Sequence, residues 1–192
     1  MFNSQSYRKW QKQLAQLIPD TCESRLTNLA LLIVGMLSSQ SVYLSVIARK
    51  VPIRAKKLSL AKRFERFLSN EAVDAESWYA PWSTGLLKSA GVSGRVHRVV
   101  DTTKVSAYRP QLMIAVAYRR RTLPIAWEWV DYPRGHCPAD LQVKLLKRVR
   151  KLLPVGVPVS LVGDSEFGNV TVIKRLNKWG WDYALRQKGR TR

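Results

Sequence analysis

Two short apolar runs, each closed by a single carboxylate, constrain the fold of this chain more than any other feature. Asp101 ends the run in RVVDTTKV, and Asp164 ends the run in VSLVGDSEFG. A carboxylate beside a buried strand is costly unless a hydrogen-bonding partner or a metal ion compensates its charge. If the two strands are neighbours in one sheet, the carboxylates lie together and a divalent cation relieves their repulsion. The pattern therefore predicts a two-aspartate cation site at the end of a sheet.

Each aspartate also has a simpler interpretation. Asp101 can be a strand-end residue that hydrogen-bonds the turn through Thr102 and Thr103. Asp164 can form an Asx-turn, or it can cap the entry to a helix that begins near Asn169. Either interpretation suits one aspartate alone, whereas the two aspartates together in a basic chain favour the shared site.

The net charge predicts a polyanionic partner. The chain of 192 residues has 33 Lys and Arg against 13 Asp and Glu, which gives a formal charge of +20. Residues 1–94 carry +7 and residues 95–192 carry +13, so the half that holds both aspartates is the more basic. Such an excess suits phosphate groups, which makes a nucleic acid the leading expectation.

Cysteine usage and the amino terminus predict a cytoplasmic protein. Cys22 and Cys137 form neither a CxxC pair nor a disulfide framework, as is usual in a reducing compartment. The start MFNSQSYRKWQKQ lacks the apolar segment of a secretory signal. The uncharged stretch between Arg25 and Arg49 has an unbroken apolar core of only LALLIVGML, so it predicts a buried helix rather than a membrane span.

Hydrophobic periodicity divides the chain into two regions. Residues 1–94 read as helical, and Leu60, Phe64, Phe67 and Leu68 share one face of a helix. The glycine-flanked segment AGVSG then predicts a boundary, and residues 95–192 follow the order β-β-β-α-β-α-β. This order predicts a mixed sheet with flanking helices, of the α+β or α/β class. Pro124 restricts the third strand to an edge of that sheet.

The second region resembles the catalytic core of DDE-type insertion-sequence transposases, which have an RNase H-like fold. The resemblance rests on DTT after the first strand's apolar run and on the GDxxFG element that contains Asp164 and Phe167. SLAKRFERFLSN is similar to the helical amino-terminal region of the same proteins, so the resemblance covers most of the chain.

The resemblance implies a sheet of order 3-2-1-4-5, in which Asp101 and Asp164 lie side by side as catalytic ligands of Mg²⁺ or Mn²⁺. It implies cleavage and strand transfer of an insertion sequence by metal-dependent phosphoryl transfer. The implied partner is double-stranded DNA, bound by a homodimer associated with the nucleoid and not with a membrane.

The third acidic residue of the family has no match in this sequence. In the family it is a Glu in a Tyr-Arg-Glu-Lys signature, on a helix beyond the fifth strand. We therefore expect a chain truncated before that helix, with an incomplete RNase H-like domain. Glu166 is a weak substitute, and Glu128 is expected to face solvent. The alternative function is that of a non-catalytic DNA-binding fragment that inhibits a full-length transposase.

Basic residues in two clusters are the expected DNA contacts. One cluster lies in the helical region, and the other lies between the second and third strands. They are Lys56, Lys57, Lys62, Arg63 and Arg66, with Arg119, Arg120 and Arg121. The run Lys144, Lys147, Arg148, Arg150 and Lys151 is instead expected to form the solvated face of its helix.

Two further interpretations carry less weight. Ser165 could be a hydrolase nucleophile with His97 or His136 as its base, although the sequence lacks the GxSxG elbow. His136 with Cys137 and Asp140 could bind zinc, but a surface loop is the usual explanation for such isolated ligands.

Overall fold

The computed structural model describes residues 4–92, 94–104, 110–118, 120–131 and 137–187. In these residues it contains seven helices and five strands. The chain divides into two compact units, Met1–Pro81 and Trp82–Arg192. The expected mixed α/β class with a helical amino-terminal region is confirmed.

The first unit is helical. Its helices are α1 (Ser4–Leu17), α2 (Glu23–Ser39), α3 (Leu44–Lys50), α4 (Lys57–Leu68) and the first part of α5 (Ala75–Gly91). Leu60, Phe64 and Phe67 of α4 are buried against α2 and α3, as their helical spacing predicted. Leu68 shares that face by its spacing, but it is 55% exposed and is not buried with the other three. It is the last residue of α4, at the margin of the apolar stripe.

The uncharged apolar stretch forms α2, which packs inside the first unit. Leu31, Val34 and Gly35 are among its buried residues. A Cβ on Gly35 would come within 2.6 Å of Cγ2 of Ile47, so α3 approaches α2 closely at this point. In the described part of the chain, no single helix is long and apolar enough to cross a membrane. Only α2 and α3 together reach that length, bent by 91°.

The second unit contains a five-stranded mixed sheet. Its elements are β1 (Val96–Lys104), β2 (Pro110–Tyr118), β3 (Arg121–Trp129), α6 (Ala139–Leu152), β4 (Val159–Gly163), α7 (Val170–Lys178) and β5 (Asp182–Leu185). The strands lie in the order β3-β2-β1-β4-β5. β1 is antiparallel to β2 and parallel to β4, and β4 is parallel to β5. Pro124 lies in β3 at the edge of the sheet, as predicted.

The core of the second unit lies between one face of the sheet and the helices. Val96, Arg98 and Val100 alternate along β1 on the buried face, with Leu145 and Leu146 of α6 in the same unit's core. The intervening residue His97 is exposed. This alternation places Asp101 on the other face, with His97.

The division between the units falls inside α5 and not at the AGVSG segment. The helix continues through Pro81, and its second half belongs to the core of the sheet unit. Leu87 and Ala90 are buried there, and the Ser83 hydroxyl donates a hydrogen bond to the carbonyl of Ile125 at 2.9 Å. These contacts attach the end of α5 to the sheet before the expected boundary at residue 94.

Candidate metal and nucleic-acid site

The pairing of β1 with β4 brings the two aspartates to equivalent positions. Val99 pairs with Val162 and Val100 pairs with Gly163 in parallel register. Asp101 and Asp164 are the next residues of the two chains. Because paired strands lie about 4.8 Å apart, the two backbones are close enough for their carboxylates to share one cation.

Both aspartates are exposed, and each uses one carboxylate oxygen locally. Oδ1 of Asp101 accepts a hydrogen bond from the backbone N–H of Thr102 at 2.8 Å. Oδ1 of Asp164 accepts one from the backbone N–H of Glu166 at 2.9 Å, which forms an Asx-turn. Among the described residues, Oδ2 of each aspartate has no partner. The local turn bonds and a cation site are therefore compatible.

The residues around Asp164 hold the loop after β4 in place. A Cβ on Gly163 would come within 2.7 Å of Cγ1 of Val100, so a side chain at this position would collide with the side chain of its strand partner. Phe167 is buried in the core. A Cβ on Gly168 would lie 2.7 Å from the carbonyl oxygen of Arg186, just beyond β5. Three residues of the GDxxFG element thus position the fourth, Asp164.

Glu166 has a structural role that the sequence did not indicate. Its Oε1 accepts a hydrogen bond from the backbone N–H of Cys137 at 2.8 Å. Nε2 of Gln142 donates to the carbonyls of Cys137 and Glu166, and Nδ2 of Asn169 donates to Oε1 of Gln142. Burial, followed by the Glu166 carboxylate, raises the pKa of the Cys137 thiol to about 11. Glu166 therefore joins the start of α6 to the loop after β4.

Asp101 and Asp164 are the two carboxylates that the described residues bring to this position. The part of the chain that the structure describes contains no group of three His, Cys, Asp or Glu side chains suited to a metal ion. Mg²⁺ is nevertheless often bound through one or two carboxylates, with water and substrate oxygens completing the octahedron. Asp101 and Asp164 fit that donor set. Glu128 forms ion pairs with Lys144 and Arg148 of α6 instead of facing solvent freely.

The serine hydrolase interpretation is wrong for His97. Its Nδ1 lies 2.6 Å from Oγ of Ser160, its partner in the register of β1 and β4. Ser165 lies beyond the opposite end of β4, whose last residue Gly163 is already about 10 Å from Ser160 along the strand. His136 lies outside the described residues, so neither its role as a base nor the zinc interpretation has a structural description.

The expected DNA contacts of the first unit are mostly exposed. Lys56 and Lys57 are exposed at the start of α4, and Lys62 and Arg66 lie one turn apart on its exposed side. Arg63 is half-buried, and its Nε donates to Oδ1 of Asn28 at 2.6 Å. Four of these five cations are therefore accessible to a phosphate group.

The expected contacts of the second unit lie at the turn between β2 and β3. Arg120 and Arg121 are both exposed, and Arg120 has the positive φ of a tight turn, 65°. Arg119 lies outside the described residues.

Comparison of the chain with models of protein families and with curated proteins gave no match.

Proposed function

We propose that this protein acts on DNA by metal-dependent phosphoryl transfer, as a relative of DDE-type insertion-sequence transposases with an RNase H-like catalytic domain. The observation that carries the proposal is the register of β1 and β4, which makes Asp101 and Asp164 neighbours at one end of two parallel strands. Ligands of open α/β sheets gather at the carboxyl ends of such strands.

The two aspartates supply the ligands in this proposal. Oδ2 of each carboxylate remains for a cation, while Oδ1 stays in its turn and fixes the side chain. When bound, Mg²⁺ or Mn²⁺ would polarise a phosphodiester oxygen and lower the pKa of an attacking water. The exposed basic residues of α4 hold the DNA, and Gly163 and Gly168 keep the Asp164 loop in position.

We expect Asp101→Asn and Asp164→Asn each to weaken Mn²⁺ binding at least about tenfold, because loss of even an outer partner costs a metal site about that factor. Isothermal titration calorimetry with Mn²⁺ measures the change. Asp182→Asn is the matched control, since Asp182 pairs with Arg95 and lies at the start of β5. Equal Mn²⁺ affinity in all four proteins would remove the metal site from the proposal.

A non-catalytic function in DNA binding is the second candidate. It is favoured by the presence of only two suitable carboxylates at this position among the described residues. A strand-transfer assay with labelled DNA separates the two candidates. Mn²⁺-dependent nicking that is lost in both asparagine variants would support the catalytic function. DNA binding without nicking would support the non-catalytic fragment that inhibits a full-length transposase. We expect complete strand transfer to be slow or absent, because two carboxylates hold a second metal ion poorly.

We expect Lys62→Gln with Arg66→Gln to weaken DNA binding about fivefold and to reduce the salt slope by about two, because each removes one phosphate contact. Fluorescence anisotropy with a labelled duplex measures both quantities. Lys144→Gln with Arg148→Gln is the matched control, with the same spacing and charge change on α6. Both of those cations already pair with Glu128. A larger loss in the control would place the main DNA contact outside α4.

A further inference from the structure

A basic pocket lies between α6 and α7, and the aspartate site does not include it. The pocket has a volume of about 430 Å³, and its lining residues are Lys147, Arg150, Lys151, Arg175 and Trp179. Four of these five residues are cations, and they come from two helices that are separate in the sequence. The volume is within the range of small-molecule sites and accommodates a nucleotide-sized group.

Two guanidinium groups converge on one indole ring in this pocket. The guanidinium carbon of Arg150 lies 5.3 Å from the centroid of Trp179, and that of Arg175 lies 5.9 Å from it. Cation–π attraction of this kind is worth about 0.5–1 kcal/mol at an exposed site. Trp179 thereby holds together two like charges that would otherwise repel each other.

Trp179 is itself fixed from the core of the unit. Its ring centroid lies 4.9 Å from that of Trp181, which is buried. The guanidinium of Arg98 stacks on Trp181 at 3.8 Å. The pocket therefore has a rigid aromatic wall, and its two arginines are arranged before any ligand arrives.

The lining cations have no acidic partner among the described residues. Every aspartate and glutamate of the chain is described, and none forms an ion pair with Lys147, Arg150, Lys151 or Arg175. Lysines and arginines are common in the last turn of a helix, where they offset the helix dipole. That dipole supplies only about half a negative charge per helix, so the ends of α6 and α7 compensate about one of the four cations.

We propose that this pocket binds a backbone phosphate of DNA and is a second DNA contact, remote from the aspartates. Paired arginines are suited to phosphate because each guanidinium donates two parallel hydrogen bonds to its oxygens. The pocket lies beside Trp181, immediately before β5, whereas Asp101 and Asp164 lie near the other ends of the parallel strands. The proposal rests on the proposed function in that it takes DNA as the ligand.

The test compares Arg150→Gln with Arg175→Gln against Lys174→Gln with Lys178→Gln in the full chain. The control pair removes the same charge from α7 and its residues do not line the pocket. We expect the pocket pair to lower affinity for a labelled DNA duplex about tenfold more than the control pair does, and to reduce the salt slope by about one, because one phosphate contact is lost. Fluorescence anisotropy measures both, and thermal midpoints show whether the variants are folded.

Three further variants test the geometry. Arg150→Lys with Arg175→Lys keeps the charge and loses the planar fork, so an intermediate loss of affinity is expected. Trp179→Phe keeps a ring for the arginines, and Trp179→Leu does not. We expect Trp179→Leu to weaken DNA binding several-fold and Trp179→Phe to leave it unchanged.

The outcomes separate this proposal from the proposed function. Equal affinity losses in the pocket and control pairs would overturn the proposal that the pocket binds DNA. Mn²⁺ binding and nicking by the natural chain would still support the proposed function. In a second experiment, the natural chain and the pocket pair are titrated with a nucleoside triphosphate. If the pocket pair lost triphosphate binding and kept DNA binding, the site would belong to free nucleotides and the proposal would be wrong. Failure of the natural chain to bind DNA at all would overturn both proposals.

Discussion

The affinity of this chain for duplex DNA is expected to fall about a thousandfold between about 50 and about 200 mM salt. The expectation follows from counterion release, because each neutralised phosphate adds about 0.9 to the slope of log affinity against log salt. About six contacts give a thousandfold change over that range. The exposed cations supply five of these contacts and the basic pocket between α6 and α7 supplies the sixth; the five are Lys56, Lys57, Lys62, Arg66 and Arg120.

Fluorescence anisotropy at a series of salt concentrations measures the slope. The series is repeated with the pocket pair, Arg150→Gln with Arg175→Gln, and with the α4 variant, Lys62→Gln with Arg66→Gln. The change in slope for each variant measures how many phosphate contacts that surface makes. A slope close to zero for the natural chain would show that the net charge of +20 does not act through phosphate contacts. A polyanion without bases, such as heparin, would also bind with a steep negative slope if backbone charge alone is recognised.

Replacement of Arg98 by methionine is expected to raise the free energy of unfolding by about 2 kcal/mol at pH 7. Arg98 is fully buried on the core face of β1. Among the described residues, its Nε, Nη1 and Nη2 atoms have no hydrogen-bond partner. A buried charge costs several kcal/mol, and the stacking on Trp181 returns about 2 kcal/mol of that cost.

Methionine suits this position because it is unbranched and its sulfur contacts aromatic rings favourably. Chemical denaturation, monitored by circular dichroism, measures the change in the free energy of unfolding. Arg95→Met is the control, since Arg95 is about half exposed and pairs with Asp182 at the surface. We expect that control to stay within about 0.5 kcal/mol of the natural chain. A clear loss of stability for Arg98→Met would mean that an acceptor compensates the guanidinium.

The effect of Arg98→Met should also depend on pH. Burial lowers the pKa of Arg98 to about 9, below its ordinary value. Above pH 9 the unfolded chain therefore binds more protons at this residue than the folded chain does, so the unfavourable contribution of Arg98 to stability decreases as the pH rises. Methionine does not titrate, so its advantage is complete below pH 9 and shrinks above it. An advantage that grew above pH 9 would contradict the assigned cause.

Local patterns in the sequence were sufficient to predict the order of the helices and strands and the exposure of several basic residues. The spacing of Leu60, Phe64 and Phe67 predicted the buried face of α4, and Pro124 predicted an edge strand. Both succeed because they depend on the geometry of one element. Leu68 lies on the same side of α4 but is exposed, because the end of the helix leaves part of the apolar stripe uncovered.

Contacts between distant residues were not visible in the sequence. Glu166 looked like a solvated residue or a weak ligand, but it bonds the backbone of Cys137 near the start of α6. Arg150 was expected on the solvated face of its helix, but it lies over Trp179 together with Arg175 of α7. No periodic pattern reports such contacts, because they depend on how separate helices pack together.

The sequence by itself determined the helices and strands, the basic character and the two aspartates that follow apolar runs. Short-range effects explain this, since propensity, alternation and net charge are properties of single segments or of composition. The tertiary structure alone decided that Val100 pairs with Gly163, which brings Asp101 and Asp164 together, and that Arg98 is buried. Strand pairing and burial are set by the packing of the whole sheet against its helices, so a segment cannot specify them alone.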